Sequence, residues 1–118
     1  MKEFILLIRN DGNFWDTMTP GEQELHMQKA GDYIRKLSEE GKFVGAQPLT
    51  MNGMMLQKTN GGFKDGPFAE SKEVIGGFFH VRAKDLAEAA EIARANPVFD
   101  DLGVRIEIRE VMRAEGVN

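Results

Sequence analysis

Cysteine is absent from this chain of 118 residues. Its absence excludes disulfides and thiolate–metal centres, and nothing in the composition asks for an oxidising compartment. Histidine occurs only twice, as His26 and His80, so few side chains have an unperturbed pKa near neutrality. Long hydrophobic runs are missing too. The run Phe4-Ile5-Leu6-Leu7-Ile8 is too short for a membrane span or the core of a signal peptide. No basic cluster is present either. Lys and Arg number 15 against 19 Asp and Glu, the net charge is -4, and the bases are scattered, which argues against nucleic acid as a partner. The chain contains no Gly-x-Gly-x-x-Gly, no phosphate-binding P-loop, no Gly-x-Ser-x-Gly and no zinc-like His/Asp/Glu spacing. These absences lead us to expect a cytoplasmic protein without nucleotide, flavin or metal cofactor, touching neither nucleic acid nor membrane.

What is present suits one ordinary domain spanning residues 1–118. A chain this long buries roughly 65% of the surface it would expose unfolded, enough for a core without staples. There is no internal repeat, low-complexity tract or long linker. Phe4 to Ile8 reads as a central strand buried on both faces. Thr19-Pro20-Gly21-Glu22 announces a helix through a capping box with proline at the first position. Met27, Ala30, Ile34 and Leu37 make its apolar face, and Gly41 ends it. Phe43 to Leu49 and Met54 to Thr59 read as strands around the turn dipeptide Asn52-Gly53, and Asn60-Gly61-Gly62 as a further hairpin turn. Val74 to Arg82 is a strand whose Gly76-Gly77 pair suggests a bulge or close backbone approach. Asp85 to Ala95 is a second helix with Leu86, Ala89, Ala90 and Ala93 on one face, stopped at Asn96-Pro97. Val104 to Val111 alternates and is half exposed.

Set in order, these elements make an α+β domain on the ferredoxin-like split βαβ plan. Two helices then cover one face of an antiparallel sheet. The other face, drawing on Phe4, Leu6, Ile8, Phe78, Met54 and Leu56, is too apolar to leave in water, which predicts a homodimer with two sheets facing each other.

The stretch Asp65-Gly66-Pro67-Phe68-Ala69-Glu70-Ser71-Lys72-Glu73 opens as a turn instruction, because Asp accepts amide bonds, Gly permits positive φ and Pro fixes φ. Phe68 and the charges after it suggest a rim beside a cleft. Glu70 and Lys72 could hold a polar ligand there or form a surface ion pair; Asp65 could serve the site or only the turn. On the following strand His80 and Arg82 alternate away from Phe79 and Val81. With the apolar set facing the helices, His80 and Arg82 face the cleft. His80 could act as a general base or hydrogen-bond a substrate, or sit as a barrel-lining or dimer-interface residue bonded to a carboxylate. His26 lies on the first helix in line with Ala30 and Tyr33. Tyr33, Trp15 and Phe68 could stack on a planar ligand, with a core role the alternative for Phe68. Met51, Met54 and Met55 could form an adaptable apolar pocket, with packing in the core or at an interface the alternative.

The opening Met1 to Ile8, the segment Gly45-Ala46-Gln47-Pro48-Leu49, the run Asp65 to Glu73 and Gly76-Gly77-Phe78-Phe79 together resemble the YCII-related family in its DGPF subgroup. The likeness covers almost the whole chain, with Asp65 to Glu73 its specific part. It implies a dimeric α+β barrel with a cleft on the sheet face. Relatives in the wider superfamily include lactone isomerases, cofactor-free monooxygenases and pure ligand binders, and some DGPF-type genes accompany sigma factors. The resemblance also implies a catalytic His–Asp pair with the His on the first helix. Here His26 stands about one turn before that position, which Ala30 occupies.

Two readings of function follow. In one, a cofactor-free enzyme transfers protons on a small, partly apolar organic molecule, with His80 as base and Arg82 or Lys72 steadying negative charge. In the other, a non-catalytic module senses a ligand or meets a regulatory protein partner.

Overall fold

The computed structural model describes residues 1–10, 15–66, 74–101 and 103–113. Phe68, Glu70 and Lys72, the expected rim, lie outside the described residues. The elements are β1 (Lys2–Asn10), α1 (Pro20–Glu39), β2 (Phe43–Pro48), β3 (Met55–Thr59), β4 (Gly62–Gly66), β5 (Val74–Ala83), α2 (Leu86–Arg94), a 3-10 turn at Pro97–Asp100 and β6 (Arg105–Glu110). β2, β5, β1 and β6 form one sheet in that order, with every neighbouring pair antiparallel. Each helix therefore carries the chain past one intervening strand, which is the split βαβ plan.

Local chemistry sets the helix ends. Thr19 accepts the Glu22 amide at 3.2 Å and Glu22 returns the favour to the Thr19 amide at 3.1 Å. At the other end Gly41 takes φ 72°, the left-handed conformation that glycine adopts without a Cβ clash. Lys42 N–H then reaches Leu37 O at 2.8 Å and Gly41 N–H reaches Ser38 O at 3.1 Å, closing a Schellman motif. Asp85 caps α2 by accepting the Glu88 amide at 2.9 Å.

The core lies between the helices and one sheet face. Phe4, Leu6 and Ile8 of β1 and Phe79, Val81 and Ala83 of β5 are buried there against Tyr33, Leu37, Ala89 and Ile92. This corrects two expectations. Phe4, Leu6 and Ile8 do not lie on the uncovered face, and β1 is not equally buried on both sides. Strict alternation sends Ile5, Leu7 and Phe78 outward instead, where they are half-buried by their neighbours. Met54 and Leu56, also expected on that face, belong with the separate β3–β4 hairpin and its approach.

On α1, Met27 is 60% exposed, and the buried line runs through Tyr33 and Leu37 with Ala30 and Ile34 half-buried beside it. On α2, Leu86 is exposed and Ile92 takes the core position. β2 does not pair with β3 across Asn52-Gly53; it pairs with β5, and β3 pairs with β4, a strand read from sequence only as turn.

The Gly76-Gly77 pair is both a bulge and a close approach. The β1–β5 register shifts between Ile8 and Arg9, with Gly77 opposite Ile8 and Ile75 opposite Arg9. A Cβ on Gly76 would lie 2.6 Å from Asn10 Nδ2, and one on Gly77 would lie 3.0 Å from Gln47 O. The extra residue reverses the alternation, so Val74 is buried and Ile75 exposed, opposite to an unbroken strand.

Candidate functional site

The bulge ends before Phe78, so the rest of β5 alternates regularly and aims Phe78, His80 and Arg82 away from the helices. Across the ladder Glu3 stands opposite Arg82, Ile5 opposite His80, and Leu7 opposite Phe78. On the other side of β1, Arg109 faces Ile5 and Glu107 faces Leu7. The uncovered face is thus an apolar centre with a charged border at each end.

At one end, His80 Nε2 lies 2.6 Å from Glu3 Oε1. The two residues are diagonal neighbours, a spacing that long side chains bridge. A carboxylate accepts and does not donate, so the contact assigns the proton to Nε2 and leaves the Nδ1 lone pair for another partner. Both side chains are mostly shielded, at 26% and 20% relative exposure. The second Glu3 oxygen receives Arg113 Nη2 at 3.3 Å. The Arg82 side chain makes no hydrogen bond or ion pair among the described residues, so its guanidinium is available to an anion.

At the opposite end, Arg9 donates from Nε and Nη2 to Glu107 Oε1 at 3.0 and 2.9 Å, and Arg109 reaches Oε2 at 3.3 Å. Hydrogen bonds from Arg9 and then Arg109 hold the Glu107 carboxyl below its ordinary range. With Arg9, Arg82, Arg109 and Arg113 against Glu3 and Glu107, this face is cationic although the chain as a whole carries -4.

His26 lies on the helix side of the sheet, so no single site within one chain joins the two histidines. It borders a groove of about 300 Å³ lined by Thr17, Leu25, Lys29 and Asp100. Its ring meets Trp15 edge-on at 6.4 Å. Burial lowers its pKa below the ordinary value, and the nearby Asp100 carboxylate opposes that shift. The groove's acids are engaged internally. Asp100 accepts Lys29 at 2.8 Å, and Asp101 accepts the Gly103 amide at 2.8 Å. Tyr33 is buried, its hydroxyl donating to Ile92 O at 2.6 Å and its ring edge-on to Phe79 at 5.4 Å. Burial also raises the Tyr33 phenol well above its ordinary pKa. Asp65 is exposed on β4, away from the main sheet.

The structure therefore brings His80 and Arg82 together, leaves Tyr33, Trp15 and His26 on the other layer, and sets Asp65 on the hairpin. Glu3 and Arg113 are the residues that sequence reasoning missed. A signal for Glu3 existed: Glu3 and Arg9 bracket the Phe4 to Ile8 run at odd positions, which marks the outward side of a strand with one buried face. Nothing local pointed to Arg113.

Among the described residues, no helix is long and apolar enough to cross a membrane. The sequence profile of the YCII-related domain matches residues 3–115, nearly the whole chain. No curated protein shows a significant match.

Proposed function

The chain belongs to the YCII-related family, and we propose that it binds a small, partly apolar organic anion on the uncovered sheet face and moves a proton on it with His80. The contact of 2.6 Å between His80 and Glu3, on a face rich in arginine, carries this reading. Glu3 acts as a positioning residue: it fixes the ring and stabilises the imidazolium once His80 has taken a proton. His80 Nδ1 removes a proton from carbon beside a carbonyl, and the electron pair moves onto the carbonyl oxygen. Arg82 steadies the enolate, and the imidazolium returns the proton to the same or a neighbouring atom. The sequence of steps is redox-neutral and calls on no cofactor. Ile5, Leu7 and Phe78 take the hydrocarbon part of the ligand.

We further place the chain in the DGPF subgroup on Asp65-Gly66-Pro67-Phe68, in the cytoplasm on its lack of cysteine, and in a homodimer whose two sheets face each other around the ligand. Native mass spectrometry of the purified protein, followed by thermal-shift screening of small carboxylic and keto acids, identifies binders. Each binder is then incubated with the protein in D2O and followed by NMR. The expected result is deuterium uptake next to the carbonyl, abolished in His80→Gln while binding persists. Uptake at the wild-type rate in His80→Gln refutes the assignment.

The free Arg82 guanidinium supports a second reading, a ligand-sensing module without turnover. It predicts binding that is lost in Arg82→Ala, unchanged in His80→Gln, and accompanied by no deuterium uptake.

A further inference from the structure

The β3–β4 hairpin stands apart from the sheet that carries the site. It forms its own two-stranded sheet, and both strands are exposed along almost their full length. A two-stranded hairpin on its own is only marginally stable in water. This one and its approach also display Leu49, Met51, Met54, Met55, Leu56 and Phe63 at 49% to 70% exposure. Such a concentration of large apolar side chains marks a contact surface.

The shape of the molecule says where the hairpin goes. Its radius of gyration is 16.3 Å, against about 13 Å for a compact domain of this length. The principal extents are 51, 45 and 19 Å. A helix layer on a sheet already accounts for the smallest of these, and a third layer would add about 10 Å. The hairpin therefore extends sideways from the slab and does not fold back over its own sheet. Among the described residues, one chain thus holds an unpartnered apolar arm and an unpartnered apolar sheet face that the arm does not cover.

We infer that the hairpin is an exchange arm, which in a twofold dimer lies against the uncovered sheet face of the second copy and closes the ligand hollow from water. Alternation within the hairpin puts Leu56, Phe63 and Asp65 on one side. The two apolar residues match the Ile5, Leu7 and Phe78 centre of the partner face. Asp65 has the sign to meet its arginine border, while Lys58, nearer the tip, carries the opposing charge on that side. If a large apolar side chain offers on the order of 180 Å², Leu56 and Phe63, at 59% and 70% exposure, present about 230 Å² on the contact side, a part of the roughly 800 Å² that each partner gives to a standard interface, the facing sheets supplying the rest. The closure of the hollow rests on the site reading above; the arm contact itself rests only on the fold.

The test uses full-length protein and two readouts that need no substrate. Sedimentation measures the dimer dissociation constant. Carbethoxylation by diethyl pyrocarbonate, read by mass spectrometry, reports His80 and His26 separately. In the wild type, His80 should become reactive on dilution through the dissociation constant, with His26 unchanged. The double variant Leu56→Lys, Phe63→Lys should weaken the dimer by roughly a hundredfold or more, as about 2.8 kcal/mol of lost contact implies, and should expose His80 at concentrations where the wild type protects it. Asp65→Asn should weaken the dimer severalfold and lower its salt sensitivity. Leu86→Glu, an equally exposed apolar site on α2, is the control and should change nothing. A double variant that dimerises and protects His80 like the wild type overturns the arm while leaving the site reading intact. A wild-type chain in which His80 protection does not depend on concentration overturns the arm alone, and one that stays monomeric at micromolar concentration overturns the arm together with the proposed homodimer, leaving only the proton transfer at His80 standing.

Discussion

Removing the Glu3–His80 contact tests the site at its centre, because the contact should be measurable in stability before any substrate is known. The perturbation is a double-mutant cycle of Glu3→Gln and His80→Gln, which keeps side-chain volume and deletes the charge-assisted bond. At 2.6 Å the geometry is that of a strong bond. Hydrogen bonds to charged groups contribute about 1.5–3 kcal/mol, whereas fully exposed ion pairs contribute about 0–1 kcal/mol. The pair lies between these cases, since its side chains are 20% and 26% exposed. A coupling energy of about 1.5 kcal/mol follows once solvent screening is allowed for. Arg113, held at 3.3 Å and largely exposed, adds little to the single-variant value. Urea unfolding of the four proteins at neutral pH gives the coupling. For a domain of this size each kcal/mol corresponds to about 4 °C in Tm, so each single variant should melt about 6 °C below the wild type. A coupling energy below about 0.5 kcal/mol, within the usual error of additivity, would refute the reasoning. It would mean that solvent screens the pair and that Glu3 does not hold the ring.

Gly77→Ala should destabilise the protein by about 1–3 kcal/mol in urea unfolding, because the new Cβ lies 3.0 Å from backbone that cannot swing aside; a neutral result would show that β2 can move away from β5. Tyr33→Phe should cost about 1–2 kcal/mol, since it removes a buried hydroxyl from the Ile92 carbonyl; calorimetry checks this. His26 predicts a pH effect. Its folded pKa lies below the ordinary 6.5, so the unfolded chain binds more protons than the folded one in that window. Stability attributable to this group is therefore complete above pH 6.5 and declines as pH falls through 6.5 toward the folded pKa. His26→Gln should flatten the decline measured by urea unfolding between about pH 7 and 5, and an unchanged slope would assign it to other groups.

Helix boundaries were the most legible part of the sequence, since Thr19, Glu22 and Gly41 act on backbone groups within a turn of themselves. The outward placement of His80 and Arg82 was legible for a similar reason: three buried apolar residues in alternation decide which side of a strand faces the helices. The buried line of α1 was less so, because Met27 and Tyr33 both fit a helical spacing and only the position of α1 on the sheet favours Tyr33. β4 escaped notice because Gly62, Lys64, Asp65 and Gly66 lack strand propensity, and their extended form depends on the pairing with β3.

By itself, then, the sequence determined an α+β domain on a split βαβ plan, its caps and breaks, and the side of β5 that His80 occupies. Those features follow from forces acting over a few residues: amide capping, fixed φ, and the two-residue repeat of a strand. Tertiary structure decided which carboxylate would meet His80, since Glu3 lies 77 positions away and arrives only through the β1–β5 register. It also decided that the hairpin leaves the slab. Register and layer order depend on how the whole chain shares one buried face, and no local pattern encodes that choice.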